Sequence, residues 1–375
     1  MNITTPFRKS HDMAGIRLLM TVDAVGGVWR YAMDLGTGLR AAGLELVFAG
    51  FGPEPSAAQR AEAEALGVVE WCHAPLDWML DDEAGLDVVP DVIARLVALH
   101  GVDLVHLNLP SQAVGLKVPV PVVVVSHSCV VSWFAAVRQA GVPRSWEWQA
   151  RRNMQGFAAA DISVAPSRSH AALLESCYGP IRGIHVVHNA SRLTERQTSG
   201  EPFVLAAGRW WDDGKNAAVL DEAAPRMDWP LVMAGANRSP KGDGVKIQHA
   251  DHRGERGFAE VVGLMSRAGI FVSPSLYEPF GLAVLEAARS GLPLVLSDIP
   301  TYRELWDGAA LFFAPNRPEA LAAEVNRLVA DRALRQRLGA AAQERAARYR
   351  PAQQTEAMLR IYGDLCAVTT PSAER

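Results

Sequence analysis

The chain has 375 residues, long enough for two domains that each bury a core, and its 49% apolar and 21% charged composition is that of a globular protein rather than a disordered one. A net charge of −4 gives no general attraction to nucleic acid or to anionic lipid, so any phosphate binding must come from locally placed cations and helix starts. The four cysteines, Cys72, Cys129, Cys177 and Cys366, form no C-x-x-C pair, which predicts neither a disulfide framework nor a structural zinc and favours a reducing, cytoplasmic setting.

The leader carries no apolar run before Ile16 and does not read as a signal peptide. No stretch approaches 18 uninterrupted apolar residues, which predicts no membrane span and leaves peripheral attachment open. Ile16 to Val22 predicts a first strand running into Gly26 and Gly27, and Val28, Ala32, Leu35 and Leu39 recur at helical spacing up to Gly43. A strand, a Gly-Gly turn and a helix can accommodate a phosphate, because glycine lets the backbone approach closely; a simple tight turn fits equally well.

Further strands are expected at Leu44 to Phe51, Val68 to His73, Asp103 to Asn108 and Pro121 to His127, with helices at Ala57 to Leu66 and Val89 to Leu99. Val122 to Val125 is apolar at consecutive positions, which suits a parallel strand covered on both faces. Such alternation implies a doubly wound α/β sheet, whose ligands meet the carboxyl ends of its strands. His127 lies at such an end, where it either caps its own strand or faces a ligand. A helix from Trp146 to Ala160, a strand from Asp161 to Ser167, a helix from Ser169 to Cys177 and a last strand from Gly183 to Asn189 complete a first domain over residues 1–190.

Residues 191–202 are polar and without periodicity, and predict a linker. A second α/β domain over 203–350 is expected to use strands at Phe203 to Arg209, Leu231 to Ala236, Val245 to Ala250, Ile270 to Ser275 and Leu292 to Asp298. Helices follow at Pro318 to Ala330 and Ala333 to Tyr349. In residues 351–367, Met358, Ile361, Tyr362 and Leu365 make one apolar stripe that needs a partner. Two such domains enclose a cleft, a common ligand site.

Chemistry concentrates in the second domain. Ser273 to Glu286 reads strand, turn, helix, with Pro279 and Gly281 at the junction and Glu278 and Glu286 eight residues, or about 12 Å of regular helix, apart. The free N–H groups of the helix start suit a phosphate, and the glutamates suit hydroxyl donors; the same glutamates also fit the solvated side of an amphipathic helix. Arg209 and Lys215, between a strand and a helix, can neutralise a diphosphate. With half a charge from the helix start near Phe280, Gly281 and Leu282, they supply on the order of two and a half positive charges. No D-x-D pair occurs. Asp212 and Asp213 read as solvated charge, and His249 and His252 lack the further ligands a metal site needs. Among the tryptophans, Trp29, Trp133, Trp146 and Trp148 fit the core or a sugar-stacking surface.

The segment EPFGLAVLE resembles the E-x7-E motif of the retaining family-4 glycosyltransferases, which have the GT-B fold, and further likeness covers Ala206 to Asn216, Gly254 to Ser275 and Ser290 to Leu305. The resemblance implies two Rossmann-like domains facing each other across a cleft, with the final helix returning to the first domain. It implies transfer of a hexosyl group from a nucleoside-diphosphate sugar to an acceptor hydroxyl of a glycan, glycolipid or small molecule, with no metal or other cofactor. By that likeness Arg209 and Lys215 hold the diphosphate, Glu278 the sugar hydroxyls and Glu286 the ribose. His127 would approach the sugar, Gly26 and Gly27 would admit the phosphate, and Glu304 would lie in a segment lining the nucleotide pocket. No nucleic acid is expected as a partner; peripheral contact with the inner face of a membrane would go with a lipid-borne acceptor. The chain departs from the pattern at Trp210 and Trp211 and in lacking Asn-Gly after VVHN. A nucleotide-sugar epimerase, a glycan phosphorylase and a non-catalytic sugar-nucleotide-binding subunit are the alternatives on the same architecture.

Overall fold

The computed structural model describes residues 13–239 and 242–369. The polar leader and the TTPSAER tail, for which the sequence predicts no packed structure, fall almost wholly outside that range.

The first domain is a seven-stranded parallel sheet of β1 (Arg17–Asp23), β2 (Glu45–Phe51), β3 (Val68–Trp71), β4 (Leu104–Leu107), β5 (Val122–Val125), β6 (Ile162–Ala165) and β7 (Ile184–Val186). Its helices are α1 (Gly27–Ala41), α2 (Ala57–Glu64), α3 (Val89–His100), α4 (Val130–Trp133), α5 (Glu147–Ala159) and α6 (Arg168–Tyr178). The strand order is β3-β2-β1-β4-β5-β6-β7, so the winding direction reverses between β1 and β4. Successive side chains enter separate cores: Leu19, Val122 and Val124 pack on one face, Leu18, Met20, Val123 and Val125 on the other. Burial on both faces is why these strands read as continuous apolar runs.

The second domain repeats the plan with six strands: β8 (Val204–Ala207), β9 (Leu231–Ala234), β10 (Asp251–His252), β11 (Ile270–Ser273), β12 (Leu294–Ser297) and β13 (Ala310–Phe313). Its helices are α7 (Ala217–Ala223), α8 (Phe258–Met265), α9 (Leu282–Arg289), α10 (Pro300–Trp306), α11 (Pro318–Ala330) and α12 (Arg332–Ala346). The order β10-β9-β8-β11-β12-β13 reverses between β8 and β11. Helix α13 (Pro351–Thr369) packs on α1, and Met358, Ile361 and Tyr362 join the core of the first domain with Leu18, Met20 and Leu35. The apolar stripe of the last helix thereby finds its partner.

Two strand expectations differ from the structure. Val245 to Ala250 forms no strand, because the Asp221 carboxylate on α7 captures the N–H groups of Gln248, His249 and Ala250 at 2.8, 2.8 and 3.0 Å, and only Asp251–His252 pairs with β9. The edge strand β13, absent from the sequence reading, pairs in parallel with β12.

Candidate functional site

The two reversal points face each other, and the carboxyl ends of β1, β4, β5, β8 and β11 open onto one cleft of about 700 Å³. That is room enough for a nucleotide sugar, and it lies where doubly wound sheets bind their ligands.

After β8, Trp210 turns into the core, 3% exposed, with its Nε1 donating to the Ala234 carbonyl at 3.1 Å. The neighbouring Trp211 lies under the Arg209 guanidinium, 5.4 Å from its carbon. The Trp-Trp departure thus anchors the loop and supports Arg209. Asn216 adopts the left-handed conformation at φ 56°, and its amide donates to the Pro274 and Pro315 carbonyls at 3.1 and 2.8 Å, which ties the Lys215 turn to the segment after β11. Lys215 Nζ consequently lies 2.5 Å from Glu278 Oε2. Helix α9 begins at Gly281, φ 92°, without a side-chain cap, and Phe280, Gly281, Leu282 and Ala283 line the cleft at its start. The Phe280 ring itself is core, packed against Tyr349 and His188.

Gly26 and Gly27 reach this group from the first domain. A Cβ on Gly26, at φ +83°, would sit 2.8 Å from the Arg209 guanidinium, whereas one on Gly27 would meet Leu282 at an ordinary 3.8 Å. The close approach therefore belongs to Gly26, not to both glycines.

His127, at the end of β5, lines the cleft and is held by a chain of hydrogen bonds. Tyr362 OH on α13 lies 2.6 Å from His106 Nδ1; His106 Nε2 and His127 Nε2 both donate to Asn108 Oδ1, at 3.1 and 2.8 Å. Asn108 Nδ2 donates in turn to the Thr21 carbonyl. Burial, aided by the nearby His106 and His170, pushes the His127 pKa down to about 3, so the ring is a neutral Nε2–H tautomer. The histidine is at once satisfied at its strand end and presented to the cleft.

Four expectations change. Glu286 does not line the cleft: it lies one turn beneath Leu282, 7% exposed, near Arg30 and Asp34 of α1, which covers that face of α9. Burial and then the Asp34 charge raise its carboxyl to about 8 against the pull of Arg30. Glu304 is not in the pocket either; it accepts the N–H groups of Arg168 and Ser169 at the start of α6, at 2.9 and 2.6 Å, and so clamps the two domains together. Asp212 and Asp213 are not merely solvated. Asp212 Oδ1 accepts Trp133 Nε1 at 2.9 Å and Asp213 pairs with Arg138, both across the cleft. Finally, Trp133 and Trp146 line the cleft whereas Trp29 and Trp148 are core.

Sequence reasoning missed Asp23, Asp77 and Asn153, which line the first-domain side, and Tyr277, whose OH meets Ser132 Oγ at 2.8 Å. Asp23 was within reach, since it ends β1 beside the Gly-Gly turn. Among the described residues no group of three or more His, Cys, Asp or Glu side chains gathers as a metal site, and no helix is long and apolar enough to cross a membrane. All four cysteines are free thiols.

Comparison with known proteins agrees with this geometry. Residues 25–194 match the family model Glycosyltransferase Family 4, and residues 193–345 match that of Glycosyl transferases group 1, the two meeting at the interdomain linker. A glycogen synthase of Mycobacterium tuberculosis is 26% identical over 86% of each chain. A GDP-mannose-dependent α-(1-6)-phosphatidylinositol dimannoside mannosyltransferase of the same species is 33% identical over 30% of each. Among solved structures, a sucrose-phosphate synthase from Thermosynechococcus elongatus superposes with a TM-score of 0.79 at 19% identity, over 94% of this chain and all of the other. HepE of Anabaena, solved with UDP and glucose, gives 0.73 at 15% identity over 93% and 99%. With both halves of the molecule matched and both sheets facing one cleft, the chain belongs to the GT-B glycosyltransferases of family 4 and group 1.

Proposed function

We propose that the protein transfers a hexosyl group, with retention of anomeric configuration, from a nucleoside-diphosphate sugar to an acceptor hydroxyl, and does so without a metal ion. The observation that carries this reading is the meeting of Arg209, Lys215, Glu278 and the uncapped start of α9 on one wall of the cleft, opposite the neutral His127. The diphosphate lies against Arg209, Lys215 and the α9 N–H groups, which together supply on the order of two and a half positive charges to the departing phosphate. Glu278, steadied by Lys215, accepts the hydroxyls of the donor sugar. His127 has its Nε2–H engaged by Asn108, so it offers the sugar a fixed neutral ring rather than a charge. Glu286, beneath the surface, is left out of the donor contacts. The acceptor proton passes to the leaving phosphate on the face where the bond breaks, which leaves positioning and electrostatics as the protein's work.

The test is a thermal-shift panel of UDP, GDP and ADP and their sugars in EDTA, followed by NMR of the product. A ligand of the native state raises the melting temperature with its concentration. A shift with one nucleotide, and an α-linked product from an α-linked donor, are expected. Silence across the panel, a strict metal requirement or an inverted product would overturn the reading.

A further inference from the structure

The two walls of the cleft carry opposite charge. Among the described residues its lining cations are Arg209 and Lys215, both from the second domain; the first domain contributes Asp23 and Asp77. Asp23, at the end of β1, is 5% exposed and receives the Val25 N–H at 2.8 Å. Asp77, 6% exposed in the loop between β3 and α3, receives Ser111 Oγ at 2.7 Å. The two are near enough for their charges to repel, and Arg209 is near enough to Asp23 to attract it.

Helix α5 adds a separate observation. It places Gln149 and Asn153 one turn apart on the cleft; Gln149 Nε2 donates to the Asp77 carbonyl at 3.0 Å, and Asn153 Nδ2 donates to the Gln149 carbonyl at 3.0 Å. Asn153 Oδ1, on a residue only 2% exposed, has no hydrogen-bond partner among the described residues. A buried amide oxygen without a donor is costly, and this one lies on the wall of a ligand cleft. Two carboxylates and a free amide oxygen form an array that accepts hydrogen bonds. Trp78 and Trp146 line the same side and offer it flat apolar surface.

We propose that Asp23, Asp77 and Asn153, walled by Trp78 and Trp146, form the acceptor subsite, and that it takes the hydroxyls of an uncharged sugar and rejects phosphorylated or carboxylated ones. Sugar hydroxyls supply the donors this array lacks, and the C–H face of a pyranose ring covers an indole. A phosphate or carboxylate on the acceptor would face both aspartates with no cation on its own side of the cleft. The inference rests on the glycosyltransferase reading above and sharpens it to a substrate class.

The experiment follows nucleoside-diphosphate release with glucose, mannose and maltose as acceptors against glucose 6-phosphate, mannose 6-phosphate and glucuronate. At an effective dielectric of about 20 the added repulsion should favour the neutral partner by at least roughly thirtyfold in kcat/KM. Asp77→Asn should raise the KM for the neutral acceptor by about tenfold and narrow the neutral-to-anionic ratio, while the Kd for the nucleoside diphosphate stays within about twofold. Asp23→Asn reads the same ratio if Asp77→Asn does not fold. Preference for an anionic acceptor, no transfer to any neutral one, or a ratio untouched by either substitution overturns the proposal. Nucleotide binding by thermal shift separates the two readings. No shift with UDP, GDP or ADP removes both, whereas a shift combined with anionic preference removes this one alone.

Discussion

Glu304→Gln tests how the cleft is held closed. The Glu304 carboxylate on α10 accepts the Arg168 and Ser169 N–H groups and, at 2.7 Å, the Ser169 hydroxyl, with His188 Nε2 at 3.4 Å. Beside it, Ser167 Oγ caps α6 through the His170 N–H and donates to the carbonyl of Pro279, within the turn that carries Glu278. The clamp is therefore continuous with the donor site. Burial alone would raise the pKa of Glu304, but the bonds from His188, Ser169 and Arg168 outweigh it and hold the carboxyl at about 2. A depressed carboxyl contributes its stability in full above its ordinary value of 4.5 and loses it as pH falls toward 2. Glutamine keeps the shape but removes the charge and turns an NH₂ group toward other donors. Each charge-assisted bond is worth about 1.5–3 kcal/mol, and discounting for the exposed Arg168 and for solvent screening leaves about 2 kcal/mol for the substitution. Amide exchange at residues 168–170 should then quicken by roughly thirtyfold at pH 7, with the gap to wild type shrinking steadily below pH 4.5. Equal exchange in the two proteins at pH 7, or a gap that widens in acid, would refute the clamp.

The remaining predictions concern the cleft and its floor. Arg209→Ala and Lys215→Ala should each lower turnover by at least roughly tenfold, one charged contact to the leaving phosphate being worth about 1.4 kcal/mol or more; wild-type rates in both would remove the diphosphate role. Gly26→Ala places a methyl group against the Arg209 guanidinium at a backbone φ of +83°, and should cost about 1–3 kcal/mol in denaturant unfolding while weakening nucleotide binding. Glu286→Gln should behave in the opposite way. The raised carboxyl keeps its proton in the native protein, so wild-type stability declines as pH rises from 4.5 to about 8, and the neutral amide escapes that decline. Its melting temperature should match wild type near pH 4.5 and exceed it at pH 8.5, by on the order of 2 kcal/mol; a difference independent of pH would count against a buried, uncompensated charge.

Much of the fold was legible because its strands are buried on both faces. Val122 to Val125 can be read without knowing what covers it, since consecutive apolar residues in a short run between turn signals leave little other choice. The failures have local causes. Val245 to Ala250 alternates apolar and polar as a strand should, yet one carboxylate on α7 binds the three N–H groups that a ladder would need. Ala310 to Phe313 is four residues at a sheet edge directly after a Gly308 turn, too short for periodicity to speak.

The candidate site divides along the same line between local and distant information. Arg209, Lys215 and Glu278 were legible because each sits in a strand-turn-helix whose own sequence positions it at the carboxyl edge of a sheet. Glu286 shares that segment, but its environment is decided by α1, some 250 residues earlier in the chain. The first-domain wall has no local signature at all. Asp23, Asp77 and Asn153 come from a strand end, a loop and a helix, and each alone is an ordinary polar residue. Together they leave one wall of the cleft rich in acceptors and free of cations, facing a wall that holds both of its cations. That polarity orders the reaction: the anionic donor is drawn to the second domain, and an uncharged hydroxyl is left as the partner the first domain can receive.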